Sequence, residues 1–105
     1  MPTPDVFAAL ANPVRREILM QLRQGPRGVT ELASGFALGR PAVSEHLQVL
    51  RKAHLVREEP RGRERYYHLD PRPLAEVEVW LEAFIRYWKQ RLAALDDLLA
   101  EKGTR

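Results

Sequence analysis

The stretch GRPAVSEHLQVLRKAHLV, residues 39–56, decides how the chain is read. On a wheel of 100° per residue, Val43, Leu47 and Leu50 fall within about one-sixth of the circle. Pro41, Ser44, Glu45 and Gln48 fall roughly opposite, with Arg40 and Arg51 flanking them. Gly39 is an acceptable N-cap, and Pro41 is tolerated in the first turn, where its missing N–H is not needed. One face of this helix is therefore fit for burial and the other is offered outward. Solvation alone would account for such a face; the sharper reading is that it recognises a partner.

Upstream, the periodicity is helical as well. PDVFAALA reads as a short apolar helix. In NPVRREILMQLRQG, Asn12 is the expected N-cap and Pro13 the first helical residue, a strong start signal. Val14, Ile18, Leu19 and Leu22 form the stripe expected to be buried, and Gly25-Pro26 stops the helix. The segment PRG reads as a loop, after which Thr30 is expected to cap a helix over ELASGF. Two helices joined by about four residues containing Gly, here Ala37-Leu38-Gly39, outline a helix-turn-helix at about residues 30–53.

Downstream the period shortens. Leu55 to Glu59 and Glu64 to Leu69 are extended runs around PRGR, where Pro60 and Gly62 supply turn geometry, so residues 55–69 predict a β-hairpin. It carries Arg57, Arg61, Arg63 and Arg65. Strand alternation sends Arg63 and Arg65 to one face and leaves Arg61 at the tip. Asp70-Pro71 then breaks the chain, and helical periodicity runs from about residue 73 to 100. The order α-α-α-α-β-β-α describes a mainly α fold with a small β-hairpin, a winged helix-turn-helix with a long C-terminal helix. No repeat or low-complexity tract divides residues 1–105, which read as a single domain.

Composition narrows the function classes. The 105 residues are 45% hydrophobic and 30% charged, ordinary for a globular chain, and contain no Cys. That excludes disulfides, thiolate metal sites and thiol chemistry, and fits a reducing compartment. No apolar run reaches the roughly 18 residues of a membrane span and MPTPDVFAAL lacks the features of a signal peptide, so a cytoplasmic location and no membrane partner are expected. Residues 1–73 hold 12 Lys and Arg against 8 Asp and Glu, whereas residues 74–105 hold 5 against 6. The positive front suits an anionic partner. Fourteen of the 17 basic residues are Arg, the side chain suited to bidentate contact with phosphate and guanine.

A duplex reader needs a polar helix face for the major groove, cations for phosphates and a scaffold fixing both. Arg40 suits guanine O6 and N7, Gln48 suits adenine, Glu45 accepts from the cytosine amino group, and Ser44 is permissive. Arg61 and Arg63 are expected on phosphates or in the minor groove, with Arg65 partly structural. The candidate DNA-binding set is therefore Arg40, Pro41, Ser44, Glu45, Gln48, Arg51, Arg61 and Arg63. His46, His54 and His68 lack ligand spacing, and His46 lies beside the buried stripe, so it reads as a packed, hydrogen-bonded side chain. No metal, cofactor or catalytic group is expected: a Gly-rich phosphate loop and a nucleophile elbow are both missing.

The tail, PLAEVEVWLEAFIRYWKQRLAALDDLLAEKG, spaces Leu74, Val77, Leu81, Phe84, Trp88, Leu92 and Leu95 at near-heptad intervals. Leu99 continues the series, and Trp80, Ile85 and Leu98 widen the stripe. A helix of about 28 residues runs roughly 42 Å, more than a small core needs as cover. Its aromatics favour an interface, so a homodimer about this helix is expected.

The segments NPVRREILMQL, VTELA, RPAVSEHLQVLRKAHLV and REEPRGRERYYHLDP resemble, in order and spacing, the ArsR family of bacterial winged-helix repressors. The resemblance covers about residues 5–72, and WLEAFIRYWKQRLAALDDLL is similar to the subgroup with an aromatic C-terminal dimerisation helix. It implies a homodimeric repressor on a pseudo-palindromic operator, with DNA contacts at Arg40, Pro41, Ser44 and Glu45 and near Arg61 and Arg63. Metal-sensing members carry Cys near the helix before the turn, or Asp and His on the tail helix. Here the first place reads ELASGFALG and the second has no His, so those modes of metal sensing do not carry over. Gly39 stands where serine is more usual. A repressor answering to a small-molecule effector of unknown identity, with a pocket at Trp80, Phe84 and Trp88, and a winged-helix protein-interaction module are the alternatives.

Overall fold

A computed structural model describes residues 5–103. Local capping starts the first two helices. The Asp5 carboxylate accepts the Ala8 N–H at 2.7 Å and opens α1, Val6–Leu10. Asn12 Oδ1 accepts the N–H groups of Val14 and Arg15 at 2.8 and 3.3 Å, and Pro13 opens α2, Pro13–Leu22. Ile18, Leu19 and Leu22 are buried as the stripe requires; Val14 is only half-buried. Gly25, at φ +139°, turns the chain after α2 in a conformation side-chain-bearing residues avoid.

The PRG segment is not a plain loop. Arg27–Gly28 forms a two-residue strand, β1, antiparallel to the wing, which makes the hairpin a three-stranded sheet. The next helix, α3, spans Val29–Ser34. Thr30 therefore lies inside its first turn instead of capping it; the cap position is Gly28, which has no side chain to offer.

The helix-turn-helix is completed by α4, Arg40–Lys52, with Gly39 as N-cap and Pro41 in the first turn. Val43, Leu47 and Leu50 are fully buried. The helix ends in a Schellman motif: the His54 N–H donates to the Arg51 carbonyl at 3.0 Å and the Leu55 N–H to the Leu50 carbonyl at 2.9 Å. His54 takes the left-handed conformation, φ +63°, that glycine usually fills, while Leu50 and Leu55 close the turn in the core.

Strands β2, Val56–Arg61, and β3, Glu64–Leu69, pair from Val56↔Leu69 to Arg61↔Glu64, and the sheet order is β1-β3-β2. Pro60 was expected to end the first strand, yet the strand continues through it. As an edge strand, β2 leaves room for a residue that cannot donate to a further neighbour. The hairpin tip is consequently Gly62-Arg63, with Gly62 at φ +59° as a two-residue loop requires, and Arg61 belongs to the last strand pair.

Among the described residues, 5–75 form one compact unit and 76–103 a second. The first unit's core gathers Val6, Ala9, Ile18, Leu32, Val43, Leu47, Leu50, Leu55 and Tyr67. Arg15 ties it together on the polar side: Nε donates to the Ala9 carbonyl at 2.7 Å, and one terminal nitrogen lies 3.2 Å from His46 Nδ1. A guanidinium only donates, so His46 accepts at Nδ1 and holds its proton at Nε2. His46 is thus the packed, hydrogen-bonded residue the sequence implies. The second unit is the rest of α5, Leu74–Gly103.

Candidate nucleic-acid interface

Burial of Val43, Leu47 and Leu50 turns the opposite face of α4 outward. The wing stands beside that face, and between them lies a cleft of about 290 Å³. Arg40, Ser44 and Gln48 line it from α4, and Arg63, Glu64, Arg65 and Tyr67 from the wing, with Val29 of α3 completing it. Four of the eight candidate residues are thereby brought together: Arg40, Ser44, Gln48 and Arg63. Pro41, Glu45 and Arg51 are exposed on α4 outside the cleft's lining, and Arg61, exposed at the end of β2, also lies outside it.

The arginines divide by what they already hold. Arg61 Nε donates to Glu59 Oε1 at 2.7 Å, and its guanidinium sits 4.6 Å from the centre of the Tyr66 ring. Arg65 donates to Glu58 at 2.8 Å while keeping 64% of its side chain exposed. Arg51 Nε donates to Gln48 Oε1 at 3.1 Å, fixing the amide of a cleft residue. Arg40 and Arg63 have no hydrogen bond or ion pair among the described residues, so a phosphate or base edge meets no internal competitor there.

Two wing carboxylates, Glu58 and Glu59, are favoured as anions. Burial raises the Glu58 carboxyl, but hydrogen bonds from Tyr67 and Arg65 outweigh it and keep it below its ordinary range. Burial also raises the Tyr67 phenol, and the bond to Glu58 raises it further, so the hydroxyl stays a donor. Glu59 is lowered by hydrogen bonds from Arg61 and His68. Glu58 and Glu59 are thus occupied by wing arginines, and the charges lining the cleft are Arg40, Arg63 and Arg65 against the one carboxylate of Glu64.

Sequence reasoning missed Val29, Glu64 and Tyr67 as cleft residues; Arg65, expected to be partly structural, pairs with Glu58 and also lines the cleft. Tyr67 falls on the inner face of β3 by alternation, so its place was readable; Val29 and Glu64 depend on β1 docking to β3, which two residues do not announce.

On α5 the stripe is open. Phe84, Trp88, Leu92 and Leu95 are about half exposed or more, at 54, 64, 43 and 49%. Leu81 is exposed and Val77 half-buried; Trp80 and Phe84 pack with ring centres 4.8 Å apart. Leu74, at the start of the helix, belongs to the first unit, where with Leu10, Leu19, Met20 and Leu69 it lines an apolar cavity of about 240 Å³. Among the described residues no three His, Cys, Asp or Glu side chains gather as a metal site, and no helix is long and apolar enough to cross a membrane.

Comparison with known proteins agrees with this geometry. Residues 12–58 match the family model described as bacterial regulatory protein, arsR family. The chain is 41% identical to the HTH-type transcriptional regulator Rv2034 of Mycobacterium tuberculosis over 96% of its own length and 92% of that protein's. It is 32% identical to the transcriptional repressor SdpR of Bacillus subtilis, over 77% of this chain and 90% of that one. Among solved structures, the ArsR family transcriptional regulator RHA00566 superposes with a TM-score of 0.70 at 35% identity, covering 79% of this chain and 86% of that one. The chain belongs to the ArsR family of DNA-binding transcriptional regulators and is not an enzyme.

Proposed function

We propose that this chain acts in the cytoplasm as a homodimeric repressor that grips a pseudo-palindromic operator with α4 and the wing. One observation carries the reading: Arg40 and Arg63, from separate elements, line one cleft with neither guanidinium committed inside the chain. Arg40, with Ser44, Glu45 and Gln48, meets base edges in the major groove, Pro41 packs against the groove wall, and Arg51, Arg61 and Arg63 meet the backbone. The open stripe of α5, Leu81, Phe84, Trp88, Leu92 and Leu95 with Leu74 and Val77 at its start, supports pairing with a second copy. A twofold axis there sets two recognition helices about 34 Å apart, one turn of duplex.

Selection of bound duplexes from random DNA, followed by titration at several salt concentrations, tests the reading. The expected result is an inverted repeat bound with affinity falling steeply as salt rises. Equal binding to every duplex would overturn it.

A second reading adds control by a small apolar ligand, favoured by the cavity lined by Leu10, Leu19, Met20, Leu69 and Leu74. A ligand panel that leaves both the melting temperature and DNA affinity unmoved would remove it.

A further inference from the structure

We infer that Glu64 is a positioning residue for duplex recognition: it latches the wing to the helix-turn-helix by capping α3 from 34 residues away. The inference rests on the reading of the cleft as a DNA-binding surface. Helix α3 begins at Val29 with glycine at its cap position, so no local side chain satisfies the first amide groups. The Thr30 N–H instead donates to Glu64 Oε1 at 3.3 Å. A β-carbon added at Gly28 would stand 2.6 Å from that same oxygen and 2.8 Å from the carboxyl carbon. Glycine at 28 thus leaves the space that the carboxylate enters.

Glu64 shares the cleft with Arg40, Arg63 and Arg65, yet it makes no ion pair with any of them among the described residues. Its charge is directed at the positive end of α3, where a carboxylate is favoured. Glu64 is the first residue of β3, immediately after the tip residue Arg63, and α3 packs against α4 through the core. One side chain therefore sets the tip of the wing against the scaffold of the recognition helix, and with it the separation of Arg63 from Arg40.

The latch and a bare surface charge predict opposite signs. A carboxylate that merely faced a duplex would repel phosphates, and its removal would tighten binding. A latch that is removed loosens binding. Gly28→Ser separates capping from latching: its hydroxyl caps α3 locally while its β-carbon displaces the carboxylate, whose flexible end moves at small folding cost.

The test titrates the wild-type protein, Glu64→Gln, Glu64→Ala and Gly28→Ser with the selected duplex, alongside melting curves and amide NMR spectra of the DNA-free proteins. Glu64→Gln keeps an acceptor and is expected to bind at least as tightly as wild type. Glu64→Ala and Gly28→Ser are expected to bind about fivefold more weakly, the loss of one hydrogen-bonded tie, with Gly28→Ser melting no lower than wild type. The Thr30 amide signal should shift in both without DNA present. Tighter binding by Glu64→Ala, or unchanged binding by Gly28→Ser, overturns the positioning role. An unmoved Thr30 signal overturns the contact itself, and a wild-type protein that binds no duplex overturns the DNA reading on which the role depends.

Discussion

Helices α4 and α5 carry apolar stripes of similar spacing, and the two stripes differ in what covers them. Val43, Leu47 and Leu50 of α4 are wholly enclosed at 0% exposure, whereas Leu81 of α5 is 41% exposed and Trp88 64%. A stripe buried by its own chain fixes a helix and frees the opposite face for recognition. A stripe of Trp, Phe and Leu left open over most of a 30-residue helix calls for cover from another molecule. The same periodicity thus marks a folding element in one region and, on the reading proposed above, an assembly element in the other.

The sharpest way to break this contrast is to damage each stripe separately. Leu47→Ala should cost about 3 kcal/mol of folding stability, because it opens a cavity in a closed core; chemical denaturation reads the loss. Phe84→Glu with Trp88→Glu should leave the fold of residues 5–75 intact, halve the mass seen by sedimentation, and weaken operator binding by about 100-fold as the two half-sites uncouple. A dimer that survives this double substitution would remove α5 from the assembly.

Smaller changes sharpen the division of labour on the recognition side. Arg63→Ala should weaken binding about tenfold on all sequences and lower the salt slope by about one, as the loss of a single phosphate contact does. Arg61→Ala should cost less than about twofold, because its partner Glu59 leaves it little charge to offer. His54→Gly should stabilise the fold by about 0.5 kcal/mol in thermal melts, relief of a left-handed side chain outweighing the added freedom of the unfolded chain.

Acid gives the weakest handle. Glu58 lies below its ordinary value of 4.5, and Arg72 beside Asp70 pulls that carboxyl from 3.8 to about 2. The unfolded chain therefore takes up more protons than the folded one in this range, and the stabilisation present above pH 4.5 is lost as pH falls toward 2. Melting temperature should decline through that window, and Glu58→Gln should flatten the decline.

What was legible in the sequence was local or periodic. Asn12-Pro13 announces the start of α2 because cap and first turn are adjacent, and the stripe of α4 announces its buried face. The start of α3 was misread at Thr30 because its cap comes from Glu64, and β1 was missed because a two-residue strand has no pattern of its own. Pro60 misled in the same way: whether proline ends a strand depends on whether that strand is an edge, which is a property of the sheet. The tip therefore fell at Arg63 instead of Arg61. The grouping of Arg40, Ser44, Gln48 and Arg63 required the wing to stand beside α4, a matter of tertiary packing that no wheel or alternation supplies.

The reversal at Ala53-His54-Leu55 has a mechanical consequence. Only three residues separate the last turn of α4 from β2, and the Asp70 N–H donates to the Leu55 carbonyl at 2.8 Å, clamping the hairpin's far strand to the same point. Helix and hairpin therefore leave one short, hydrogen-bonded joint, which helps to set the spacing between them. On the reading proposed above, a duplex that takes α4 in its groove and the wing on its backbone has to conform to that spacing, so base steps that bend easily or set a suitable groove width are favoured even at positions no side chain touches.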